Sequence, residues 1–251
     1  MPRLSIVIPA FNEEQRLPVT LEAVAKWLSY TGLEAECIVV DDGSTDSTAE
    51  VAARFHGARV LRSSPNRGKG HAVRQGVLAS SGDRVLVMDA DLATPLEEFA
   101  KLSQALDRGA AVAIGSRPLR ESELIVRQPW PREWAGRVFN AVVRLLAVPG
   151  IHDTQCGFKL FTRTAARSIF EVCSLDGFGY DVESLFVARR MGFSVAEIPV
   201  RWRHQAGAAA FSTPASYLAH GIRMVADIWR VRRLHGGRRA PRATRDIAPK
   251  Q

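Results

Sequence analysis

Two carboxylates one residue apart, Asp89 and Asp91 in Asp89-Ala90-Asp91, follow directly on the apolar residues 85–88. A hard divalent cation takes oxygen ligands and shares phosphate oxygens, so such a pair suits an ion that neutralises a departing diphosphate. It equally suits an ordinary turn after a strand, where Asp is common. Asp41-Asp42-Gly43-Ser44-Thr45-Asp46 also follows an apolar run. One of its carboxylates has the chemistry to accept hydrogen bonds from a base or from ribose hydroxyls. The alternative is a glycine turn feeding a helix cap. Asn66-Arg67-Gly68-Lys69-Gly70 sets glycines and a lysine at the start of a helical pattern, which suits phosphate. It has neither the spacing of a Walker loop nor the strand-anchored G-x-G-x-x-G of a dehydrogenase.

These loops need a frame that gathers them. Strand patterns fall at residues 4–9, 35–40, 59–61, 84–88 and 111–114, and helical patterns at 17–28, 47–55, 71–79 and 96–106. Ser44 or Asp46 is placed to cap the second helix. Such alternation predicts an α/β fold, a mostly parallel sheet with helices on both faces. Ligands in such sheets bind at the carboxyl ends of the strands. The polar clusters fall there: Asn12-Glu13-Glu14, Asp41 to Ser44, Asp89 to Asp91, and Ser116-Arg117. The second half is less regular. It predicts a loop over 118–131, an amphipathic helix over 134–148, a strand over 157–161 and helices over 163–170 and 181–191. A strand over 194–200 and an amphipathic helix over 214–234 complete it, with no linker and no internal repeat.

Composition bounds the class. The 251 residues are 46% hydrophobic and 24% charged, as in an ordinary globular chain, which excludes disordered, collagen-like and polytopic membrane proteins. There is no apolar run of spanning length and no signal-peptide pattern at the start. Cys37, Cys156 and Cys173 are too few and too scattered for a disulfide framework or a zinc site, so a reducing compartment is expected. The net charge of +8 is uneven: residues 201–251 carry 11 Lys and Arg against 2 Asp, leaving the first 200 residues at −1. A basic tail on a near-neutral body points to a polyanionic surface or to a solubilising tail. No nucleic-acid recognition motif accompanies it, so no nucleic-acid partner is expected.

The combination is more specific than its parts. Pro9-Ala10-Phe11-Asn12-Glu13-Glu14, Val40 to Asp46, Asn66 to Gly70 and Asp89-Ala90-Asp91 occur in this order. Over residues 1–117 the chain resembles the family 2 glycosyltransferases of GT-A fold, a Rossmann-like architecture. That resemblance implies a nucleotide-diphosphate sugar donor, Mg2+ or Mn2+ as cofactor, and inversion at the anomeric carbon. Asp153-Thr154-Gln155-Cys156-Gly157-Phe158-Lys159-Leu160-Phe161 narrows it, with Tyr180-Asp181-Val182-Glu183 and Glu197-Ile198-Pro199-Val200-x-Trp202. Over residues 4–235 the chain is similar to the dolichyl- or polyprenyl-phosphate β-glucosyltransferase branch. The Asp153–Phe161 segment lacks the Gly-Gly of the mannosyl-phosphate synthases, which favours UDP-glucose over GDP-mannose as donor. Other readings are a GDP-mannose-dependent polyprenyl-phosphate mannosyltransferase or another small-acceptor transferase of the same family, and a membrane-adsorbed protein that binds nucleotide sugar without turnover. Residues 205–211 lack the basic residue of the branch's Gly-Ser-Lys or Gly-Ser-Arg loop, and the Gln-x-x-Arg-Trp motif of processive synthases is absent.

The resemblance also implies roles. Pro9, Ala10, Asn12, Glu13, Asp41, Asp42, Lys69 and Ala90 would line the uridine and phosphate pocket. Asp91 would hold the metal, with Asp89 on the metal or the ribose. Arg117 would hold a donor or acceptor phosphate or be a solvated arginine before Pro118, Asp153 would order sugar hydroxyls or act as a base, and Lys159 would hold a phosphate or form a structural salt bridge. Gln155 and Asp181 complete the catalytic set, while Asp181 and Glu183 also fit a helix cap and a first-turn acid. Cys156 is expected to be a packed residue, because single displacement needs no covalent intermediate. The expected organisation is a GT-A domain over 1–212, with a nucleotide-sugar half (1–117) and an acceptor half (118–212), then an amphipathic helix and basic tail over 213–251. The two arginine-bearing helices, with Trp130, Trp134 and Trp229, are either core helices or interfacial ones. The implied polyprenyl-phosphate lipid favours the second, on an anionic membrane surface. The expected location is therefore cytoplasmic, peripheral on the cytoplasmic face.

Overall fold

The computed structural model describes residues 4–126, 146–203 and 214–237. Its main sheet has seven strands in the order β3-β2-β1-β4-β7-β5-β8. They are β1 (Leu4–Ala10), β2 (Ala35–Asp41), β3 (Ala58–Arg62), β4 (Arg84–Val87), β5 (Val112–Ser116), β7 (Lys159–Thr162) and β8 (Val195–Pro199). All pair in parallel except β7, which runs antiparallel to both β4 and β5. The expected mostly parallel sheet is present, and residues from both halves of the chain build it.

The central strands are apolar on both sides because both sides are covered. Side chains alternate along a strand. Val7, Val40 and Val85 therefore face one core, and Ile6, Ile8, Val39 and Leu86 the other. The first core is closed by α3 (Lys69–Ala79), α5 (Arg163–Phe170) and α6 (Tyr180–Arg190), through Val73, Ile169 and Leu185. The second is closed by α1 (Leu17–Thr31) and α4 (Phe99–Asp107), through Leu21 and Leu102. A short helix, α2 (Thr48–Arg54), follows β2, and α7 (Pro214–His235) docks on the first core through Ile228.

Two features of this sheet open the site. Met88 N donates to Val7 O on the β4 side of β1, and Asp42 N donates to Ala10 O on the β2 side. Successive residues of β1 thus bond to opposite neighbours, which turns the nitrogen of Pro9 toward β4. Pairing with β4 stops at Val7 opposite Val87, while pairing with β2 runs on to Asp41. A proline, with no N–H to offer, sits where the ladder has already ended. The second feature is β7. Its first residue, Lys159, lies opposite Val87 of β4 and Ile114 of β5. An antiparallel strand at this place delivers the preceding loop, residues 151–158, to the carboxyl ends of its parallel neighbours.

The structure departs from the pattern reading in four places. Within the expected loop 118–131, Glu123–Val126 forms β6, paired in parallel with β9 (Arg201–Arg203). The partner is far away in sequence, so local composition carries no trace of it. The strand expected over 194–200 ends at Pro199, and the buried Val200 separates β8 from β9. The helix expected from 96 opens as a 3-10 turn, Leu96–Glu98, after Pro95. The helix expected from 71 begins two residues earlier, at Lys69. The expected helix 134–148 lies outside the described residues except at its end, as does the altered segment 205–211.

Candidate active site

The loops after β1 and β2 lock together. Asn12 N donates to Ser44 Oγ (2.9 Å), and Asn12 Oδ1 accepts from Thr45 N (2.9 Å). Glu13 N donates to Thr48 Oγ1 (2.8 Å). The side chain of Asn12 is therefore spent on loop geometry, at a positive φ of 54° that Asn tolerates better than most residues. Asp46, not Ser44, serves the start of α2, accepting from Thr48 N (3.0 Å). Glu13 pairs with Arg16 at 2.6 Å. Burial raises its pKa, Asp91 and Asp89 add to the rise, and Arg16 opposes it.

Asp41 is fully buried at the end of β2, its Oδ1 accepting from Ser44 N (3.0 Å). Its Oδ2 lies 3.1 Å from Arg62 Nε in an ion pair but accepts no aligned hydrogen bond. A buried oxygen of that kind is a ready acceptor for a ligand N–H or O–H. Asp42 works on the backbone instead, accepting from Gly68 N (2.6 Å) and Arg67 N (3.2 Å). That fixes the entry to α3. Gly68 has φ of 112°, and a Cβ there would lie 2.5 Å from Asp176 O, so only glycine fits.

Asp89 and Asp91 lie past the end of β4. Asp89 Oδ1 pairs with Lys69 Nζ at 2.5 Å. A Cβ on Gly157 would fall 2.0 Å from Asp89 Oδ2, so the glycine makes room for this carboxylate. Burial pushes the pKa of Asp89 up, but Lys69, Lys159 and Arg117 together hold it below the usual carboxylate range. Burial raises the pKa of Asp91, and the charge of Asp89 raises it further. Asp91 Oδ1 accepts from Ala93 N (2.9 Å), and the next residue, Leu92, has φ of 54°. A left-handed leucine is costly and marks a backbone held by its surroundings. Ala90 is buried, and its carbonyl accepts from Thr20 Oγ1 of α1 (2.6 Å). Pro9 and Ala10 end β1, and Ala10 O accepts from Asp42 N (2.9 Å).

Two adjacent carboxylates under mutual repulsion are a fitting half-site for Mg2+ or Mn2+. Among the described residues no group of three or more His, Cys, Asp or Glu is arranged to hold an ion unaided. A diphosphate and water would complete the shell, as is usual for Mg2+.

The loop before β7 brings the second half of the site. Asp153 is fully buried and accepts from Arg117 Nε (2.6 Å), Nη2 (2.8 Å) and N (3.1 Å), and from Gln155 N (3.1 Å). Both of its oxygens are thus engaged within the protein, by Arg117 and by the loop backbone. Burial works against its charge, but Arg117 and Lys159 hold its pKa low. Arg117 in turn stacks over Trp202, its Cζ 5.4 Å from the ring centroid. Glu197, part of the motif quoted above but given no role there, braces the loop. It accepts from Asp153 N (2.9 Å), His152 N (2.8 Å) and Ser116 Oγ (2.9 Å). Gln155 Nε2 is buried without a partner.

Lys159 is buried, donating to Cys156 O (2.6 Å) and to Asp181 Oδ1. Of the two roles open to Lys159, the structure shows the salt bridge, and Asp181 is its partner. Glu183 is not at the cleft: it accepts from Ser174 N and Leu175 N and pairs with His235 Nε2 at 2.8 Å. Cys37, Cys156 and Cys173 are buried and unpaired, and burial raises the Cys156 thiol.

A cleft lies over Asp89 and Asp91 and is lined further by Leu92, Thr94, Phe158 and Trp202. It joins the two carboxylates to the Arg117 corner through Trp202.

Residues 5–170 match the family model described as glycosyl transferase family 2. The dolichyl-phosphate β-glucosyltransferase of Drosophila melanogaster is 39% identical over 91% of this chain and 77% of its own length. That of Dictyostelium discoideum is 36% identical over 91% and 73%, and that of Homo sapiens 39% over 80% and 67%. Among solved structures, mannosyl-3-phosphoglycerate synthase from Rubrobacter xylanophilus superposes with a TM-score of 0.71 at 19% identity, covering 99% of this chain and 79% of that one. Glucosyl-3-phosphoglycerate synthase from Mycobacterium tuberculosis, solved with Mn2+, UDP-glucose and phosphoglyceric acid, gives 0.67 at 23%, covering 92% and 79%. These likenesses confirm the GT-A fold.

Proposed function

The chain belongs to glycosyl transferase family 2 and is a glycosyltransferase, and from that premise we propose that it moves glucose from UDP-glucose to a polyprenyl phosphate of dolichyl type. The observation that carries this reading is the state of the carboxylates around the cleft. Asp153 is paired with Arg117, Asp181 with Lys159, Glu13 with Arg16 and Asp89 with Lys69, and Asp91 is reserved for the metal. A sugar or lipid hydroxyl needs a positioned general base. A phosphate monoester, with a second pKa near ~6, is already a nucleophile at neutral pH. It needs a cation to hold it, and Arg117 on its Trp202 platform is that cation.

The donor's uracil or ribose is assigned to Asp41 Oδ2, in the corner walled by Pro9, Ala10 and Asn12. Its diphosphate faces Lys69 at the start of α3, where helix N–H groups favour anions. Asp89 and Asp91 would hold Mg2+ or Mn2+, which when bound neutralises the departing diphosphate. The acceptor phosphate oxygen forms a bond to the anomeric carbon from the side opposite the leaving group. The bond from that carbon to the diphosphate oxygen breaks, and UDP leaves with the electron pair. The configuration inverts. Asp153 and Glu197 act as positioning residues, the first on Arg117 and the second on the loop that carries Asp153. Relatives named for dolichyl-phosphate glucosylation, at 36–39% identity, support the same assignment.

The outward side of α7 supports a membrane surface as the site of this reaction, on the cytoplasmic face. Trp229 is 67% exposed there, beside exposed Val225, Arg230 and Arg233. No helix among the described residues is long and apolar enough to cross a membrane.

The test is a donor-by-acceptor screen with labelled UDP-glucose and GDP-mannose against a polyprenyl phosphate, the matching polyprenol and simple sugars. Label from UDP-glucose is expected in the polyprenyl phosphate alone. Transfer to a hydroxyl and none to the phosphate overturns the mechanism, and preference for GDP-mannose overturns the donor. Binding of UDP-glucose without any transfer establishes a non-catalytic protein.

A further inference from the structure

We propose that Lys69 is an internal counter-cation that competes with the divalent metal for Asp89 and transfers to the diphosphate, so that metal and nucleotide bind as a coupled pair. The inference rests on the assignment of Asp89 and Asp91 to the metal. Lys69 Nζ lies 2.5 Å from Asp89 Oδ1, and Asp89 Oδ2 is packed against Gly157, so Oδ1 is the oxygen for which a cation would have to compete. Asp89 has little freedom to swing away, because Gly157 packs against its other oxygen with no room for even a methyl group. The ammonium, on four rotatable bonds, is the mobile partner.

The surrounding charges do not mask this competition. Arg117, Lys159 and Arg16 are each held first by their own carboxylates, Asp153, Asp181 and Glu13, and the charges of Lys159 and Arg117 only add to what keeps Asp89 ionised. Asp89, Asp91 and Lys69 are left with a net charge of −1. A divalent ion added alone crowds three positive charges onto two carboxylates. A diphosphate added alone meets two carboxylates and one ammonium. Added together, the ion takes the carboxylates and the ammonium takes the phosphates, with like charges apart. Lys69 is the first residue of α3, and the preceding Gly68 N is pinned to Asp42 at 2.6 Å. Its backbone stays fixed while the side chain turns from Asp89 to an anion at the helix start.

The test measures Mn2+ binding to the full chain, by the electron paramagnetic signal of free Mn2+, with and without UDP. Wild type, Lys69→Gln, Lys69→Met and Lys69→Arg are compared after thermal melts confirm folding. Wild type is expected to bind Mn2+ at least about tenfold more tightly with UDP than without, within the usual range of coupling between sites. Lys69→Gln and Lys69→Met should bind Mn2+ without UDP about tenfold more tightly than wild type does, and gain less from UDP. Lys69→Arg should behave as wild type. Neutral variants that bind Mn2+ alone no better than wild type, while wild type keeps its coupling to UDP, overturn this inference only. A wild type that binds no Mn2+ even with UDP overturns the metal assignment and the inference with it.

Discussion

Replacing Asp153 by Asn separates a proton acceptor from a residue that holds an arginine. The carboxylate is fully buried, takes three hydrogen bonds from Arg117 and a fourth from Gln155 N, while Arg117 is 25% exposed. Removing one partner of a buried ion pair costs about 3–5 kcal/mol. Asn keeps one acceptor oxygen and Arg117 keeps some access to water, so the expected loss falls below that range, roughly 2–3 kcal/mol. The pKa of Asp153 is held below its ordinary 3.8, so the pair stabilises the fold above that pH and loses its contribution as pH falls through the lower, folded value. The stability gap between wild type and variant, read by urea unfolding, should be flat from pH 6 to 8 and should narrow below about pH 4.

The catalytic consequence follows from Arg117. A displacement of about 1 Å in a group that positions a reactant costs about 10²-fold. The kcat/KM for the polyprenyl phosphate should fall by about that factor or more, while UDP affinity changes little. The rise of kcat/KM with pH should follow the acceptor's phosphate ionisation near ~6 and should persist in the variant. Loss of that limb in Asp153→Asn, or rescue of its activity by formate or azide, would show that Asp153 takes a proton and would refute the reasoning.

Asp91→Asn should keep the fold, by circular dichroism and melting, yet lower transfer by about 10²-fold or more, since the leaving diphosphate loses its counter-charge; full activity in excess chelator would remove the metal from the mechanism. Gly157→Ala drives a methyl group into Asp89, so Mn2+ binding in the presence of UDP should weaken about tenfold or more, and an unchanged affinity would mean that the carboxylate has room to move. The chain should adsorb to anionic vesicles, each basic residue near the surface contributing about 1 kcal/mol and salt weakening the binding. Cutting after Leu234 removes Arg238, Arg239, Arg242, Arg245 and Lys250, and Trp229→Ala removes an exposed ring. Both should weaken sedimentation with vesicles more than binding of UDP, and salt-insensitive adsorption would count against a surface held by charge.

The nucleotide half was legible because its chemistry is local. A run such as Leu-Ser-Ile-Val-Ile-Pro-Ala followed by Asn12 declares a buried strand and its polar end within a dozen residues. The strands after it do the same, so the order of the loops could be read without knowing the sheet. The second half of the chain is built by contacts between distant residues. Arg117 meets Asp153 across 36 positions, and Ser116 meets Glu197 across 81. Nothing at residue 117 announces that its guanidinium is tethered, and nothing at residue 123 announces a strand whose partner is Arg201–Arg203. Motif matching flagged Asp153, Lys159 and Asp181 as a group but left open what each one does.

Their common function becomes visible only in three dimensions. Because β7 runs against its neighbours, the loop before it enters the cleft from the second half of the chain, carrying Asp153 toward Arg117 and Gly157 toward Asp89. Lys159, at the start of that strand, ties the strand to α6 through Asp181. A charge pair buried to this depth is weak evidence for stability, since an apolar pair of similar shape often does as well. The lysine of this pair nevertheless favours the charged form of Asp89. Burial raises the cost of every bare carboxylate in the cleft, and the neighbouring Lys69, Lys159 and Arg117 keep Asp89 ionised in spite of it. The site is thus charged before any substrate arrives, and each tethered arginine or lysine is one that need not be recruited from water when a phosphate approaches.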